Sequence, residues 1–565
     1  MQTLHSARAK LDSALDEYTN VCAALTNSRP IPSLNYSQSL RDEMDAGIEL
    51  LTTFEKRTAQ IKYTLNKAIN SLVVPANSLP DEILSRIFHF TINLQFSSFE
   101  EFVDSGELST NSLAISQVCT RWRQVAFGSK SLWTHIDLAA CNGLFPLAQL
   151  FAARSGDLPL SVRAVERIDL PNQWNNFLLN ELFEAVGHRL ETIDLNLGQS
   201  LLFPNIRFST LRSLVHCTPG KLTQLVLSDR KIFMDTHISD KYLKASEHWF
   251  IIHNEFRLPR MTGRDDYMNR YSYPVQLDIS QERLEEILYH VKILKLDQIY
   301  PLWTSKAYHG LTELRLTGPR MLTAAIGEQQ FANILTASPK LRVLHFGLEI
   351  SLEETPPAPV RLEDLEVFLL QSFSFDTQQA VLRLILPGTK RLEMSTTYNE
   401  YLVELPAPIE EEYCRFFKRS NIVQLHVHSE PLLVHLVQLL ALLPNLEVLI
   451  LNQVSIQELN LPEHVSTPLC PNLRSIYCMS GSIRMNAIRW IVGTHNLEKV
   501  VIWNSRVLGA NGDDERECKD LLADISPPVQ ILEYEGHPEP FRVEGWGWDM
   551  EDRMVISAET AYVVR

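Results

Sequence analysis

Residues 311–346 read LTELRLTGPRMLTAAIGEQQFANILTASPKLRVLHF. The hexapeptides at its two ends, LTELRL and LRVLHF, place apolar residues first, fourth and sixth, with mostly polar or charged residues between them. In an extended chain the fourth and sixth residues point to the same face. Each hexapeptide therefore reads as a short strand with one buried face. The residues between them are numerous enough to cross back and cover that face with a helix, the connection two parallel strands require.

The pattern recurs with substitutions as LETIDL (190), LTQLVL (222), VKILKL (291), LEDLEV (362), IVQLHV (422), LEVLIL (446), LRSIYC (473) and LEKVVI (497), with looser copies at Thr389 and Val529. Neighbouring starts often lie 20 to 33 residues apart. PLLVHLVQLLALLP (431–444), SIRMNAIRWIVGTHN (482–496) and DDERECKDLLADI (513–525) read as covering helices. One such unit cannot bury its own apolar face, so the units must stack. From 190 to 535 the chain resembles the leucine-rich-repeat family, which implies an α/β solenoid with parallel strands on one side and helices on the other. Because the period is uneven, an irregular α/β domain is the competing reading. Residues 229–273, polar and aromatic, interrupt the period and read as a long loop leaving the solenoid.

In this register the third, fifth and seventh positions of each motif face the concave side. In the middle they are charged: Glu313, Arg315, Asp364, Glu366, Arg391 and Glu393. Towards the carboxyl end they turn apolar and aromatic. Val448, Ile450, Tyr477, Met479, Val501 and Trp503 are expected to form an exposed patch, with Ile450, Tyr477, Met479, Val501 and Trp503 as candidate contacts for a protein client. Alternatively the tail, with Phe541, Trp546 and Trp548, folds over that patch as a cap. His426 and His428 alternate on one strand, but no third ligand accompanies them, so no metal or cofactor is expected.

Ahead of the repeats, Asn77-Ser78-Leu79-Pro80-Asp81-Glu82 reads as a helix start, with Ser78 able to cap and Pro80 in the first turn. Leu79, Ile83 and Ile87 form one apolar row and Leu84 and Phe88 the adjacent one. A further helix is expected from Leu113 to Ala126, carrying Val118, Trp122 and Val125, before Ser131-Leu132-Trp133. LPDEILSRIF (79–88), VCTRWRQVA (118–126) and SLW (131–133) resemble, in order, the landmarks of the F-box family. The resemblance covers about sixty residues. It implies docking onto a Skp-type adaptor, and through it onto a cullin-based ubiquitin ligase, with Leu79, Pro80, Ile83, Leu84, Ile87, Phe88, Val118 and Trp122 supplying the contact and its supporting core. Residues 91–111 make the gap between the first two landmarks longer than the family's usual one.

At the amino terminus Leu11, Leu15, Tyr18, Cys22 and Leu25 recur at spacings of four and three, with Leu4 one heptad earlier. Pro30-Ile31-Pro32 ends that helix, and a second, with Leu40, Met44, Ile48, Leu51, Ile61 and Leu65, is expected from Ser37 to Leu72. The two helices either fold on each other as a hairpin or pair with another chain.

The expected organisation is a helical hairpin or coiled coil over 1–73, an F-box domain over 74–140, a solenoid over 141–535 and a cap or tail over 536–565. The formal net charge of -16 argues against nucleic acid or an anionic membrane as main partner. The eight cysteines show no CxxC pair and read as reduced thiols. No GxSxG, HExxH or GxxxxGK sequence occurs. With no secretory signal or membrane span evident, the expected location is cytoplasm or nucleus. These readings imply a non-catalytic substrate receptor of a ubiquitin ligase. A repeat scaffold with no ligase attached is the alternative.

Overall fold

The computed structural model describes residues 2–27, 36–72, 75–93, 111–139, 145–165, 176–196, 212–228, 250–253, 272–275, 280–297, 299–318, 325–372, 374–397, 407–428, 436–456, 468–509 and 529–532. The fold is mixed α/β, and the chain divides into two units, residues 1–84 with 118–122, and residues 85–117 with 123–565.

In the first unit, α1 (Gln2–Asn27) and α2 (Tyr36–Leu72) are the two expected amino-terminal helices. The Tyr18 hydroxyl lies over Gly47, 3.0 Å from where a Cβ would stand. A short 3-10 turn over Pro75–Ser78 leads into α3 (Asp81–Asn93). Two further helices, α4 (Asn111–Val118) and α5 (Thr120–Gly128), lie mostly in the second unit. A single helix was expected across these last two. Cys119 breaks it, and its sulfur instead accepts the Trp122 N–H at 3.5 Å, serving as a cap to α5.

The second unit is dominated by one sheet of fourteen strands in sequence order, all neighbours parallel. They are β1 (His135–Ala139), β2 (Leu160–Val165), β3 (Leu190–Asn196), β4 (Gln224–Ser228), β5 (Ile293–Asp297), β6 (Glu313–Thr317) and β7 (Val343–Gly347). These are followed by β8 (Val367–Gln371), β9 (Leu392–Thr397), β10 (Ile422–His428), β11 (Val448–Asn452), β12 (Ser475–Met479), β13 (Lys499–Trp503) and β14 (Val529–Leu532). The first two precede the earliest motif read in the sequence. Helices and short turns occupy several of the crossovers, including Leu436–Leu442 and Met485–Thr494, where helices were expected; residues 513–525 lie outside the described residues.

The apolar positions of the motif build the core. At the fourth position Ile193, Leu225, Leu294, Leu314, Leu344, Phe368, Leu425 and Leu449 are all fully buried, as are Leu195, Leu227, Leu316, Phe346 and Leu370 at the sixth.

Two motif starts were misplaced. LEDLEV was expected to open a strand at Leu362, but the strand is β8, with Leu365, Phe368 and Leu370 at the three apolar positions. Leu362, Leu365 and Phe368 are equally spaced, so the sequence alone fits either frame. Leu362 belongs instead to a small strand, Val360–Leu362, paired with Ile385–Pro387. Asp364 and Glu366 therefore precede the strand, where both meet Lys390, at 3.0 and 2.9 Å. Likewise Val529 stands beside Val500, a fourth-position residue, so that motif also begins three residues earlier than expected.

The turns after β11, β12 and β13 repeat a backbone device. Gln453, Ser480 and Asn504 each take a positive φ of 56, 51 and 46°, and each donates its N–H to the next strand's end: Met479, Trp503 and Leu532. Part of the stretch read as a loop, 229–273, is sheet: Phe250–His253 pairs antiparallel with Ser272–Val275 and with Ile299–Pro301. The rest of it lies outside the described residues.

Candidate functional site

Helix α3 starts where the sequence placed a start, but by a different cap. The Pro80 carbonyl accepts the N–H groups of Ile83 and Leu84, both at 3.1 Å. The Ser78 hydroxyl, expected to cap, donates to Pro75 O at 2.7 Å instead. Asp81 and Glu82 lie in the first turn, where the helix dipole favours carboxylates. Arg121 of α5 fastens this end: its Nη2 donates to Asp81 Oδ1 at 2.8 Å and to the Leu79 carbonyl at 2.5 Å.

The two apolar rows of α3 separate by burial. Leu84, Phe88 and Ile92, four residues apart each time, are buried. Ile83 and Ile87 are exposed at 43% and 41%, Pro80 is exposed, and Phe90 is exposed at 60%. Pro80, Ile83, Ile87 and Phe90 follow spacings of three, four and three, which place them on one helix face. Phe90 was missed by the sequence reading, although this spacing pointed to it. Of the other candidates, Val118 is exposed, whereas Leu79 and Trp122 are half-buried. Leu84 and Phe88 are supporting core rather than contact surface.

Further along α3, the Ser85 and Ser129 hydroxyls meet at 2.8 Å and His89 Nε2 lies 2.9 Å from Ser131 Oγ. Burial lowers the His89 pKa, favouring its neutral form. The Ser112 hydroxyl donates to Leu132 O at 2.8 Å. Trp133 is fully buried, donates Nε1–H to Ala126 O at 2.8 Å and meets the Phe151 ring edge-on at 5.0 Å. The Arg154 guanidinium lies over the Trp133 ring at 4.4 Å. The SLW segment thus ties α5 to the start of the sheet.

One face of the sheet carries a second candidate site. One in-register row crosses it: Asp137, Arg163, Asp194, Val226, Lys295, Arg315, His345, Leu369, Ser395, His426, Ile450, Tyr477, Val501 and Gln530. Its first strands carry mostly charged residues and its later ones apolar residues as far as Val501, before Gln530. At the charged end Arg163 stands between Asp137 and Asp194 in register. Burial pushes the Asp194 carboxyl up to about 6 despite Arg163 and Lys295 nearby. Lys295 and Arg315 share Glu313 Oε1, at 3.2 and 2.7 Å.

At the apolar end the structure brings Ile450, Tyr477, Met479, Val501 and Trp503 together, but buries them, none more than 9% exposed. The exposed patch expected from the sequence is therefore corrected to a buried cluster. Ile450, Tyr477 and Val501 stand side by side on adjacent parallel strands, as do Met479 and Trp503, and Val448 and Leu532 pack against them. Phe541, Trp546 and Trp548, the alternative cap, lie outside the described residues. His426 and His428 are also buried, and burial holds His426 down to about 3. Among the described residues no three His, Cys, Asp or Glu side chains are grouped to hold a metal ion.

None of the six described cysteines is joined in a disulfide. Burial pushes Cys217 and Cys478 up to about 12, which leaves them thiols. Among the described residues no helix is long and apolar enough to cross a membrane.

Residues 76–139 match the family model of F-box-like domains, so the chain carries an F-box-like domain. No curated protein matches the sequence.

Proposed function

We propose that this protein is a substrate receptor of a cullin-based ubiquitin ligase, docking a Skp-type adaptor through the F-box-like segment and a protein client through the stacked strands. The observation that carries the reading is the F-box-like match together with an apolar row, Pro80, Ile83, Ile87 and Phe90, left facing solvent on α3. Such a row costs stability in water unless a partner covers it. Leu84 and Phe88 form the buried row behind it. Val118 and Trp122 extend the docking set.

The repeat of strand and crossover supports a leucine-rich-repeat solenoid as the client-binding half. The carboxyl-terminal cluster is packed as core, so Ile450, Tyr477, Met479, Val501 and Trp503 act by shaping that end of the sheet, and the polar amino-terminal part of the row is the better client surface. No chemistry is assigned to this chain: ubiquitin transfer belongs to the ligase, and the receptor contributes proximity. The reading predicts that the full chain co-purifies with a Skp-type adaptor and that Pro80→Ala/Ile83→Asp abolishes this. Failure of the unaltered chain to retain any adaptor would favour a scaffold without a ligase.

A further inference from the structure

We propose that α1 and α2 pair with the same helices of a second copy of the chain, the two α2 helices running antiparallel about a two-fold axis near Gln60. From Leu40 to Leu72, positions 40, 44, 47, 51, 54, 58, 61, 65, 68 and 72 alternate by four and three, the seam of a heptad helix. Large apolar residues occupy most of them, and Gly47, Thr58 and Ala68 the remainder.

That seam is bare. Met44, Leu51, Phe54, Ile61 and Leu65 are 41 to 55% exposed. On α1, Leu11 and Leu15 are at least half exposed. Besides Tyr63, eight large apolar side chains of α2 and five of α1 stand more than a third exposed. Tyr63 lies on the helix face opposite the seam, and its hydroxyl meets Thr120 Oγ1 at 3.3 Å. The seam therefore lies on the side of α2 away from Thr120. The Tyr18 hydroxyl covers α2 at Gly47, so the two α2 helices meet along the stretch from Ile48 to Ile69, with α1 beside them.

The stretch is complementary to itself, which is what a two-fold interface between identical chains requires. Antiparallel about Gln60, Leu51 of one copy meets Ala68 of the other, Phe54 meets Leu65, and Thr58 meets Ile61. Large residues oppose smaller ones in two of these three layers. Glu55 then faces Lys62 of the other copy, and Ile48 faces Ile69. Parallel pairing would instead set Arg57 against Lys62, like charges at flanking positions.

The test is sedimentation equilibrium of the full chain over micromolar concentrations, with Leu51→Glu/Leu65→Glu alongside it. Both side chains are half in water in the single chain, so the variant keeps its helix content, checked by circular dichroism. The proposal expects twice 64.6 kDa for the unaltered chain and 64.6 kDa for the variant. With Cys22→Ser as background, Leu51→Cys/Ala68→Cys cross-links two copies on oxidation, and neither cysteine alone does. A chain that stays at 64.6 kDa, a dimer indifferent to the two glutamates, or cross-linking by Leu51→Cys alone overturns the proposal.

Discussion

Arg121 and Asp81, forty residues apart, form an ion pair at 2.8 Å, and the same guanidinium reaches the carbonyl of Leu79. One side chain thus fixes the start of α3, just where its exposed row begins. The pair is partly in water and worth at most about 1 kcal/mol, and the carbonyl bond adds about 1 kcal/mol. Arg121→Ala should therefore speed amide exchange at Ile83 and Leu84 by about tenfold or more. Arg121→Lys, which lacks the planar fork, should restore only part of that protection. Equal exchange in all three proteins would show that the clamp does not hold the helix start.

The positive φ of Ser480 gives a second expectation. A left-handed residue costs roughly 1–2 kcal/mol for ordinary side chains, and a β-branched one suffers most. Ser480→Val should lower the melting temperature and Ser480→Gly should not. Beside it, a Cβ on Gly481 would stand 2.2 Å from the Val454 carbonyl, so Gly481→Ala should be worse than Ser480→Val. Differential scanning calorimetry decides the order.

Tyr477 and Trp503 were read from sequence as client anchors and are packed in the structure. Emptying a buried aromatic site costs about 3–5 kcal/mol. Tyr477→Ser/Trp503→Ser should therefore broaden or lower the thermal transition even with no client present. A variant as stable as the unaltered protein would return these residues to the exposed surface first expected.

Two groups on the long row respond to pH with opposite signs. His426 has an ordinary value of 6.5 and is held at about 3 in the fold. Between those values the unfolded chain takes up a proton the folded one refuses. Its contribution is full above pH 6.5 and is lost as pH falls, by up to about 1.4 kcal/mol per pH unit. Asp194 is raised from 3.8 to about 6, so the folded chain keeps a proton the unfolded one releases. Its contribution is present below 3.8 and is lost as pH rises to about 6. The two oppose each other from about pH 4 to 6. Relative to the unaltered protein, His426→Gln should lose stability as pH rises through this window, and Asp194→Asn should gain it, as followed by thermal melts at several pH values.

How far the sequence carried these conclusions differs from element to element. The strand frame was legible wherever the apolar spacing was unique, as at Leu190, Leu311 and Leu446, because burial of one strand face leaves a strict period. It slipped at Leu362, where a third evenly spaced apolar residue offered a second frame. The strands β1 and β2 were missed because neither opens with the leucine pattern. Exposure was hardest to read: the motif spacing put Tyr477 and Trp503 on one strand face, but their burial depends on what packs against that face, which the spacing does not encode. On α3 the division between Leu84–Phe88 and Ile83–Ile87 was visible as two rows, yet which row faces water depended on the elements packed behind the helix, which its own spacing does not encode.

The central claim is most directly tested by calorimetric titration of the purified full chain with a purified Skp-type adaptor, comparing the unaltered protein with Ile83→Asp/Ile87→Asp. Both isoleucines are exposed, so the variant should keep its melting temperature. The account predicts one adaptor per chain for the unaltered protein and at least a hundredfold weaker binding for the variant. No measurable heat with the unaltered protein, or equal affinity for both, would contradict it.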